Sequence, residues 1–178
     1  MSETVKGTIA AVAGMALVAA GGLLSAAYLR FVFAGPTPSL YVAHHGQARA
    51  VAAGELMFDG EAFTCGRHPT VYNAGFADYG AAFFGFIVLN PDRFTLLPLS
   101  VKRFAYAHEC GHQYVGYSEP DADCYAVKRG IARGWLDAAS LEEICAFFSR
   151  SKGTALHLPG PQRCASIRVC YQKQKARL

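Results

Sequence analysis

The chain has 178 residues, of which 52% are hydrophobic and only 17% are charged, and its formal net charge is +4. The basic residues occur as scattered pairs rather than as a patch interleaved with aromatic residues, which argues against a nucleic-acid-binding protein. The sequence has no glycine-rich phosphate loop and no internal repeat, so the common nucleotide-binding and solenoid classes are also excluded.

The first 34 residues have the composition of an export or anchor segment. Residues 7–29 carry no charge, and a helix of that length spans about 34 Å, enough to cross a bilayer core of about 30 Å. Ser25, Ala26 and Ala27 supply the small residues of a signal-peptide cleavage site. We therefore expect an N-terminal hydrophobic helix that anchors the protein in a membrane, with a cleaved signal and secretion as the alternative.

Residues 35–178 are expected to form one α+β domain after a short linker of glycine and proline at residues 35–38. Between residues 54 and 90, strand-like pieces such as 55–58 and 81–89 are separated by Gly, Pro, Asn and Asp. Two prolines, Pro159 and Pro161, indicate a loop. Apolar periodicity predicts helices over residues 101–115, about 119–129, 136–149 and 164–172.

The pattern that constrains function most is the run His108-Glu109-Cys110-Gly111-His112. Two histidines four residues apart leave the same face of a helix, so both imidazoles can hold one zinc ion, and Glu109 lies beside them as a candidate general base. Gly111 costs about 1 kcal/mol relative to Ala in a helix interior, which indicates that something approaches the helix closely there. A structural zinc site is the alternative, although such sites favour four ligands and cysteine, and Cys110 is expected to point away from the histidines.

A third ligand is expected on the next helix, where Glu119 and Asp123 share a face. One of these carboxylates can bind zinc while the other orients a ligand histidine through a hydrogen bond. Ser118 resembles a helix N-cap, and Asp121 is three residues further on. This spacing predicts a capping box, so Asp121 is assigned to the cap rather than to the metal.

The HExxH run followed by the sequence Glu-Pro-Asp-Ala-Asp at 119–123 resembles the gluzincin metallopeptidases, in particular the family of the CaaX prenyl protease and the heat-shock membrane protease. The resemblance implies that Glu119 is the third zinc ligand and that Asp123 orients a ligand histidine. His157 and Arg163 have the spacing of the family's His-Pro-x-x-x-x-Arg segment, with the proline shifted by one. The likeness extends over about residues 80–165 and implies a small zincin-like core, formed by a short β-sheet, the HExxH helix and the ExxAD helix.

The chain departs from that family between the two motifs. Only six residues separate His112 from Glu119, fewer than is usual in the family. The two helices must therefore turn back on each other almost at once.

Together these patterns predict a zinc-dependent metallopeptidase that requires Zn²⁺ and acts on a protein or peptide substrate. Glu109 is the expected general base, and His157, Arg163 and Tyr117 are candidate donors to the oxyanion or contacts to the substrate, with His157 preferred. Because activation of water does not by itself specify a peptide bond, a non-proteolytic zinc hydrolase is one alternative. A catalytically silent, membrane-anchored binding protein with the same fold is another.

Six cysteines follow the hydrophobic segment, and none of them has the CxxC spacing of a zinc ribbon or a thioredoxin-like motif. An even number of cysteines behind an export segment predicts disulfides and a domain outside the cytoplasm, either periplasmic or extracellular. Six cysteines allow fifteen pairings, among which the sequence does not choose. Buried free thiols in a cytoplasmic domain are the alternative.

Overall fold

The computed structural model describes residues 35–155 and 157–177. The hydrophobic helix expected in residues 1–34, together with the membrane anchor or signal assigned to it, lies outside the described residues. Among the described helices, none is both long and apolar enough to cross a membrane. The residues from Thr37 onward make up one structural unit, and it contains all of the candidate site residues.

The described part of the chain is a mixed α+β structure, as the sequence predicted. The strands are β1 (Arg49–Val51), β2 (Leu56–Phe58), β3 (Glu61–Phe63), β4 (Thr70–Tyr72), β5 (Gly80–Phe83) and β6 (Phe86–Leu89). The helices are α1 (Pro38–His44), α2 (Pro91–Thr95), α3 (Leu99–Val115), α4 (Glu119–Ala132), α5 (Ala138–Phe148) and α6 (Gly160–Lys175).

A four-stranded sheet with the order β1-β4-β6-β5 supports the helices, and β2 and β3 form a separate antiparallel hairpin. Strand β6 runs parallel to β4 and antiparallel to β5. Its side chains alternate between two cores: Ile87 and Leu89 face the larger core under α3, whereas Phe86 and Val88 pack with Tyr41 of α1. The strand order makes β6 a central strand and β5 an edge strand beside α3. The continuous apolar run of β6 is typical of a strand buried on both faces.

The strand-like piece predicted at 81–89 is two strands rather than one. Phe84 and Gly85 form the turn between β5 and β6, and Gly85 has a φ of 87°, which glycine adopts without strain. Gln113 of α3 holds this turn: its side-chain oxygen accepts a hydrogen bond from the Gly85 N–H at 2.9 Å, and its amide donates to the Phe83 carbonyl at 2.7 Å. The edge strand β5 is thereby fixed against the helix that carries the HExxH run.

Helices α3 and α4 pack closely because α3 has a glycine at the crossing point. A Cβ on Gly111 would lie 3.1 Å from the Cα of Ala122 and 3.2 Å from its carbonyl oxygen. This contact explains the costly glycine in the helix interior. Gly116, with a φ of 75°, ends α3, and α4 begins at Glu119, so the short connection expected from the sequence is achieved.

Three local predictions were wrong. Ser118 is the N-cap of α4, but its side chain makes no capping hydrogen bond. Pro120, at the second helical position, has no backbone N–H, so one of the donors that a side-chain cap would satisfy is absent. A capping box occurs instead at α5, where Asp137 and Ser140 exchange hydrogen bonds of 2.8 Å, and α5 begins two residues later than predicted. The loop expected at residues 159–161 ends earlier, because Pro161 lies in the first turn of α6, where no N–H is needed.

All six cysteines lie in the described part of the chain, and all six are paired. The prediction of disulfides is therefore confirmed, and the pairing that the sequence left open is now defined. One disulfide joins the segment after β3 to α3, one joins α4 to α6, and one joins α5 to α6. The pairs are Cys65–Cys110, Cys124–Cys170 and Cys145–Cys164.

Candidate metal and catalytic site

Two histidines from α3 and the first residue of α4 converge on one point. The Nε2 atoms of His108 and His112 are 3.1 Å apart. The Glu119 carboxylate lies 3.0 Å from His108 Nε2 through Oε2 and 3.5 Å from His112 Nε2 through Oε1. One potential ligand atom from each residue falls within 4.8 Å of the others. The structure thus brings together the HExxH histidines and Glu119, but not Asp121, which is exposed at the start of α4.

Hydrogen bonds at Nδ1, on the side of each ring away from the common point, fix the orientation of both imidazoles. His108 Nδ1 lies 2.7 Å from Asp123 Oδ1, and His112 Nδ1 lies 2.7 Å from the carbonyl oxygen of Gly116. An acceptor at Nδ1 makes that nitrogen the N–H donor, so in the neutral ring that metal binding requires, Nε2 directs its lone pair towards the common point. The Gly116 carbonyl was not predicted as a site group, although a glycine directly after a helix often indicates an exposed terminal carbonyl.

Asp123 is held in turn by Arg163 of α6. The guanidinium donates two hydrogen bonds to the carboxylate, from Nε to Oδ2 at 2.9 Å and from Nη2 to Oδ1 at 2.7 Å. The Arg163 guanidinium also lies over the ring of Phe148, 4.3 Å from its centroid. Only 4% of Asp123 is exposed, so this paired, charge-assisted contact is sheltered from water. Arg163 therefore lies behind the candidate ligand His108, with its charge directed at Asp123.

The donor set fits a divalent transition metal. Oε2 of Glu119 is buried and forms no hydrogen bond of suitable geometry, although the Nε2 atoms of His108 and His157 lie 3.0 and 2.9 Å from it. A buried carboxylate oxygen is costly unless a cation satisfies it, and either a protonated imidazole or a metal ion can do so. Two imidazole nitrogens and one carboxylate are a set that zinc accepts, and three protein ligands leave one of four tetrahedral positions for water or substrate. A structural zinc site of the cysteine type does not occur here, because every cysteine is in a disulfide.

The electrostatics of the cluster favour a cation between these groups. Burial lowers the pKa of His108, but the carboxylates of Asp123 and Glu119 outweigh burial and raise the pKa to about 9. Burial raises the pKa of the Glu119 and Asp123 carboxyl groups. The nearby His108 outweighs burial at both, and Arg163 adds to its effect at Asp123, so the pKa of each carboxyl group lies below its usual range. A metal ion that binds at neutral pH must therefore displace a proton from His108.

Glu109 lies next to the cluster and faces the edge strand. Burial raises the pKa of its carboxyl group, against the opposing effect of His108 and His112 and of a hydrogen bond from the Ala82 backbone of β5. A carboxyl pKa that is moved towards neutrality suits a group that both accepts and returns a proton. The Ala82 contact has no signature in the sequence, because it depends on how β5 lies against α3.

His157 reaches the same cluster from the loop between α5 and α6. Its Nε2 lies 2.9 Å from Glu119 Oε2, and its ring centroid is 6.2 Å from that of His108. The loop is held by hydrogen bonds between the backbones and side chains of Thr154 and His157. Together with His108 and Glu109, His157 lines a cavity of about 400 Å³. Tyr117, in contrast, is 86% exposed on the α3–α4 connection and is not among the residues that line this cavity.

Comparison of the chain with protein-family models, with curated protein sequences and with solved structures gives no match in any of the three. The function of the chain must therefore be inferred from the geometry and the chemistry of the site.

Proposed function

We propose that this protein is a zinc-dependent metallopeptidase with a small zincin-like core, in which His108, His112 and Glu119 hold the metal. The observation that carries the proposal is the convergence of one potential ligand atom each from His108, His112 and Glu119, all within 4.8 Å of one another. Such a cluster is costly as a set of structural contacts and favourable as a metal site. Glu109, next to His108 in the chain, supplies the proton acceptor that a purely structural site does not need.

Zinc at these three side chains would acidify a water molecule and polarise a carbonyl group. Glu109 accepts the proton of the attacking water and then donates it to the leaving amine. His157, beside Glu119 and in the same cavity as Glu109, donates a hydrogen bond to the substrate carbonyl oxygen as negative charge develops there. Asp123 and Arg163 keep His108 in the tautomer that presents Nε2.

The edge strand supports a peptide rather than another acyl substrate. Strand β5 is the terminal strand of its sheet and lies next to Glu109 through Ala82. An edge strand offers a row of backbone N–H and C=O groups, and an extended peptide can pair with them. A peptide paired with β5 in this way would lie beside Glu109, whose carboxylate accepts a hydrogen bond from the Ala82 backbone.

The three disulfides support a location outside the cytoplasm. Disulfides persist in oxidising compartments, and none of the six cysteines here is free. We therefore propose a periplasmic or extracellular domain, attached to the membrane by residues 1–34 or secreted after their removal.

The decisive experiment compares Glu109→Gln with the wild-type domain. The variant should keep one equivalent of zinc, measured by atomic emission, and lose about 10²–10⁴-fold in hydrolysis of an unfolded protein, measured by mass spectrometry of the products. Glu55→Gln is the matched control, because Glu55 is an exposed glutamate outside the site. Wild-type turnover in Glu109→Gln, or hydrolysis that survives complete chelation of metal, would contradict the proposal.

A further inference from the structure

A second cavity lies outside the candidate metal site, where α3 and the end of α4 meet β3 and the residue that follows it. Its volume is about 50 Å³, and one water molecule needs only about 10–15 Å³, so there is room for a small polyatomic ion. Three arginines and one carboxylate contribute to its wall. We call it the arginine pocket, and its charged and hydroxyl-bearing residues are Glu61, Thr64, Arg103, Tyr106, Arg129 and Arg133.

The arginine pocket lies on the side of α3 away from the two histidines. Cys110 is two residues from each of them, which on a helix of 3.6 residues per turn places it on the opposite face. Nη1 of Arg129 lies 3.6 Å from Cys110 Sγ. None of the candidate metal ligands lines the pocket, and Glu109 does not line it either. The proposed catalytic chemistry therefore does not account for these arginines.

Two guanidinium groups converge on one hydroxyl group at the wall of the arginine pocket. Nη2 of Arg129 lies 3.3 Å from Thr64 Oγ1, and Nη2 of Arg133 lies 3.5 Å from the same atom. Arg129 is held further by donating to the Thr64 carbonyl and, at 3.4 Å, to the Tyr125 hydroxyl. The two positive groups are thus kept next to each other, and the partners that hold them are neutral.

The charges of these two arginines are not compensated within the described residues. The lysine and arginine ion pairs found there involve other side chains, including Arg103, whose guanidinium donates to the Glu61 carboxylate. Arg129 and Arg133 are four residues apart, a spacing at which like charges destabilise a helix. Burial and the charge of Arg129 lower the pKa of the Arg133 guanidinium. The negative end of the α4 dipole favours cations here, but both guanidinium groups are directed at Thr64.

We infer that the arginine pocket binds a small oxyanion such as phosphate or sulfate, either free or as the monoester group of a larger molecule. A guanidinium fork donates to two oxygens of such a group at once, and these charge-assisted hydrogen bonds are about twice as strong as neutral ones. Thr64 Oγ1 accepts from both arginines, so its own O–H can donate to the anion. Arg133 is exposed, so an anion reaches it from solvent. The inference does not depend on the proposed function.

The first test follows the protein by NMR while sulfate or inorganic phosphate is added in physiological salt, which screens loose attraction between exposed charges. The expected result is a saturable shift of the Thr64 amide signal and of the Nε–H signals of Arg129 and Arg133. These signals separate the pocket from any anion bound at the metal. The absence of a saturable shift at all three residues up to about 100 mM, far above the millimolar Kd of a weak site, overturns the inference.

Variants at the exposed arginine separate a built site from net charge. Arg133→Gln should weaken sulfate binding by about 10–100-fold, the usual effect of losing a hydrogen bond to a charged group. Arg133→Lys keeps the charge but loses the planar fork, so it should also bind more weakly than the wild type. Lys128→Gln is the matched control, because Lys128 is exposed on the same helix outside the pocket lining. Equal losses in Arg133→Gln and Lys128→Gln refute the pocket.

Two further comparisons identify the source of the anion and separate this inference from the proposed function. O-phosphoserine that binds at least as tightly as inorganic phosphate assigns the arginine pocket to a monoester group, and weaker binding assigns it to the free ion; both results uphold an oxyanion site. Arg133→Gln should keep the zinc content and the hydrolysis rate of the wild type, since Arg133 is outside the candidate metal site. A protein that binds sulfate at these arginines but hydrolyses nothing refutes the peptidase alone.

Discussion

Asp123 is the residue on which the geometry of the candidate site depends most. Its carboxylate accepts from His108 on one side and from Arg163 on the other, and it is almost completely buried. The Asp123 carboxylate is not one of the three converging ligand atoms. Its contribution is to orient the His108 ring so that Nε2 of His108 is directed at the metal position. Glu119, in contrast, contributes an oxygen to that point directly.

The zinc affinities of variants at Asp123 and Glu119 should show which of the two carboxylates is the ligand. Asp123→Asn should weaken zinc binding by about 10–100-fold, the usual cost of losing a group that orients a ligand. Glu119→Ala should weaken it further, because a ligand atom is removed. Competition with a chromogenic chelator measures both, and Asp121→Asn, an exposed change on the same helix, is the control. The opposite ranking would make Asp123 the ligand.

His157→Ala should slow the chemical step by about 10²–10³-fold, the typical cost of one donor to the oxyanion. Zinc content should stay at one equivalent, since His157 is not one of the three candidate ligands. Single-turnover kinetics and metal analysis check the two parts separately, with His44→Ala on the exposed side of α1 as the control. Because His157 also lies 2.9 Å from Glu119, loss of zinc with an unchanged chemical step would assign it to positioning Glu119 instead.

Zinc affinity should rise with pH up to about pH 9. In the folded protein the pKa of His108 is raised to about 9. Below that pH zinc must displace a proton from His108, so each unit by which the pH falls below 9 reduces the apparent zinc affinity by about tenfold. Above pH 9 this dependence should level off. Chelator competition from pH 6.5 to 9.5 measures the slope. Asp123→Asn should move the plateau to lower pH, because Asp123 raises the pKa; an affinity that is flat between pH 7 and 9 would exclude this competition.

Residue-level prediction from the sequence succeeded where the relation between residues is local. His108 and His112 are one helical turn apart, so helix geometry alone places them on one face. The partner of Asp123 was not predicted, because Arg163 is 40 residues away and its position depends on how α6 packs. The sequence assigned Arg163 to the oxyanion or the substrate, which stays a prediction; the structure adds that its guanidinium is bound to the Asp123 carboxylate.

At the scale of elements, the crossing of α3 and α4 decides whether Glu119 reaches the histidines. The chain has only the short connection from Gly116 to Ser118 in which to reverse, so the helices must touch near the motif. Gly111 allows that contact by leaving its Cβ position empty, next to the backbone of Ala122.

Gly111→Ala should therefore lower zinc affinity and thermal stability together. Helix propensity alone favours Ala over Gly by about 1 kcal/mol, so the sign of the effect separates propensity from packing. A new Cβ at 3.1 Å from the Cα of Ala122 requires that backbone to move by a few tenths of an ångström, and we expect Glu119, on the same helix, to shift with it. Calorimetry and chelator competition measure the change. Gly46→Ala, where an added Cβ meets open space, should be neutral; a stabilised Gly111→Ala with full zinc affinity would refute the packing argument.

The elements themselves were largely predictable, and their ends were not. Periodicity located α3, α4 and α5 to within a few residues, because an amphipathic face is a property of the segment alone. The turn at Gly85 divided a strand predicted as continuous, and α6 begins four residues earlier than expected. Both errors come from Gly and Pro, because these residues occur both in turns and at helix starts, and the surrounding structure decides which of the two forms.

For the whole molecule, the disulfides and the candidate site form one framework. In each of the three disulfides, one cysteine directly follows a site residue: Cys110 follows Glu109, and the same adjacency holds at Asp123–Cys124 and Arg163–Cys164. Each crosslink therefore fixes the backbone at a residue whose side chain belongs to the site. The number of cysteines predicted disulfides, but this adjacency depends on the pairing, which only the three-dimensional fold determines.

Reduction should lower both zinc affinity and stability. Removing a native disulfide from a small domain typically costs about 2–5 kcal/mol, and here the loss also loosens the backbone at Glu109, Asp123 and Arg163. Denaturant titration and zinc competition, with and without a phosphine reductant, measure the two effects, and reoxidation should restore both. Unchanged zinc affinity in the fully reduced but still folded protein would show that packing alone maintains the site.

The distance along the chain between the parts of the site has a consequence for the timing of maturation. Arg163 follows His108 by 55 residues, and it belongs to the last described helix, which two disulfides attach to the rest. During synthesis the HExxH helix emerges well before the side chain that holds Asp123 in place. We therefore expect the proposed peptidase to reach full zinc affinity and activity only after α6 has been synthesised and its two disulfides have formed.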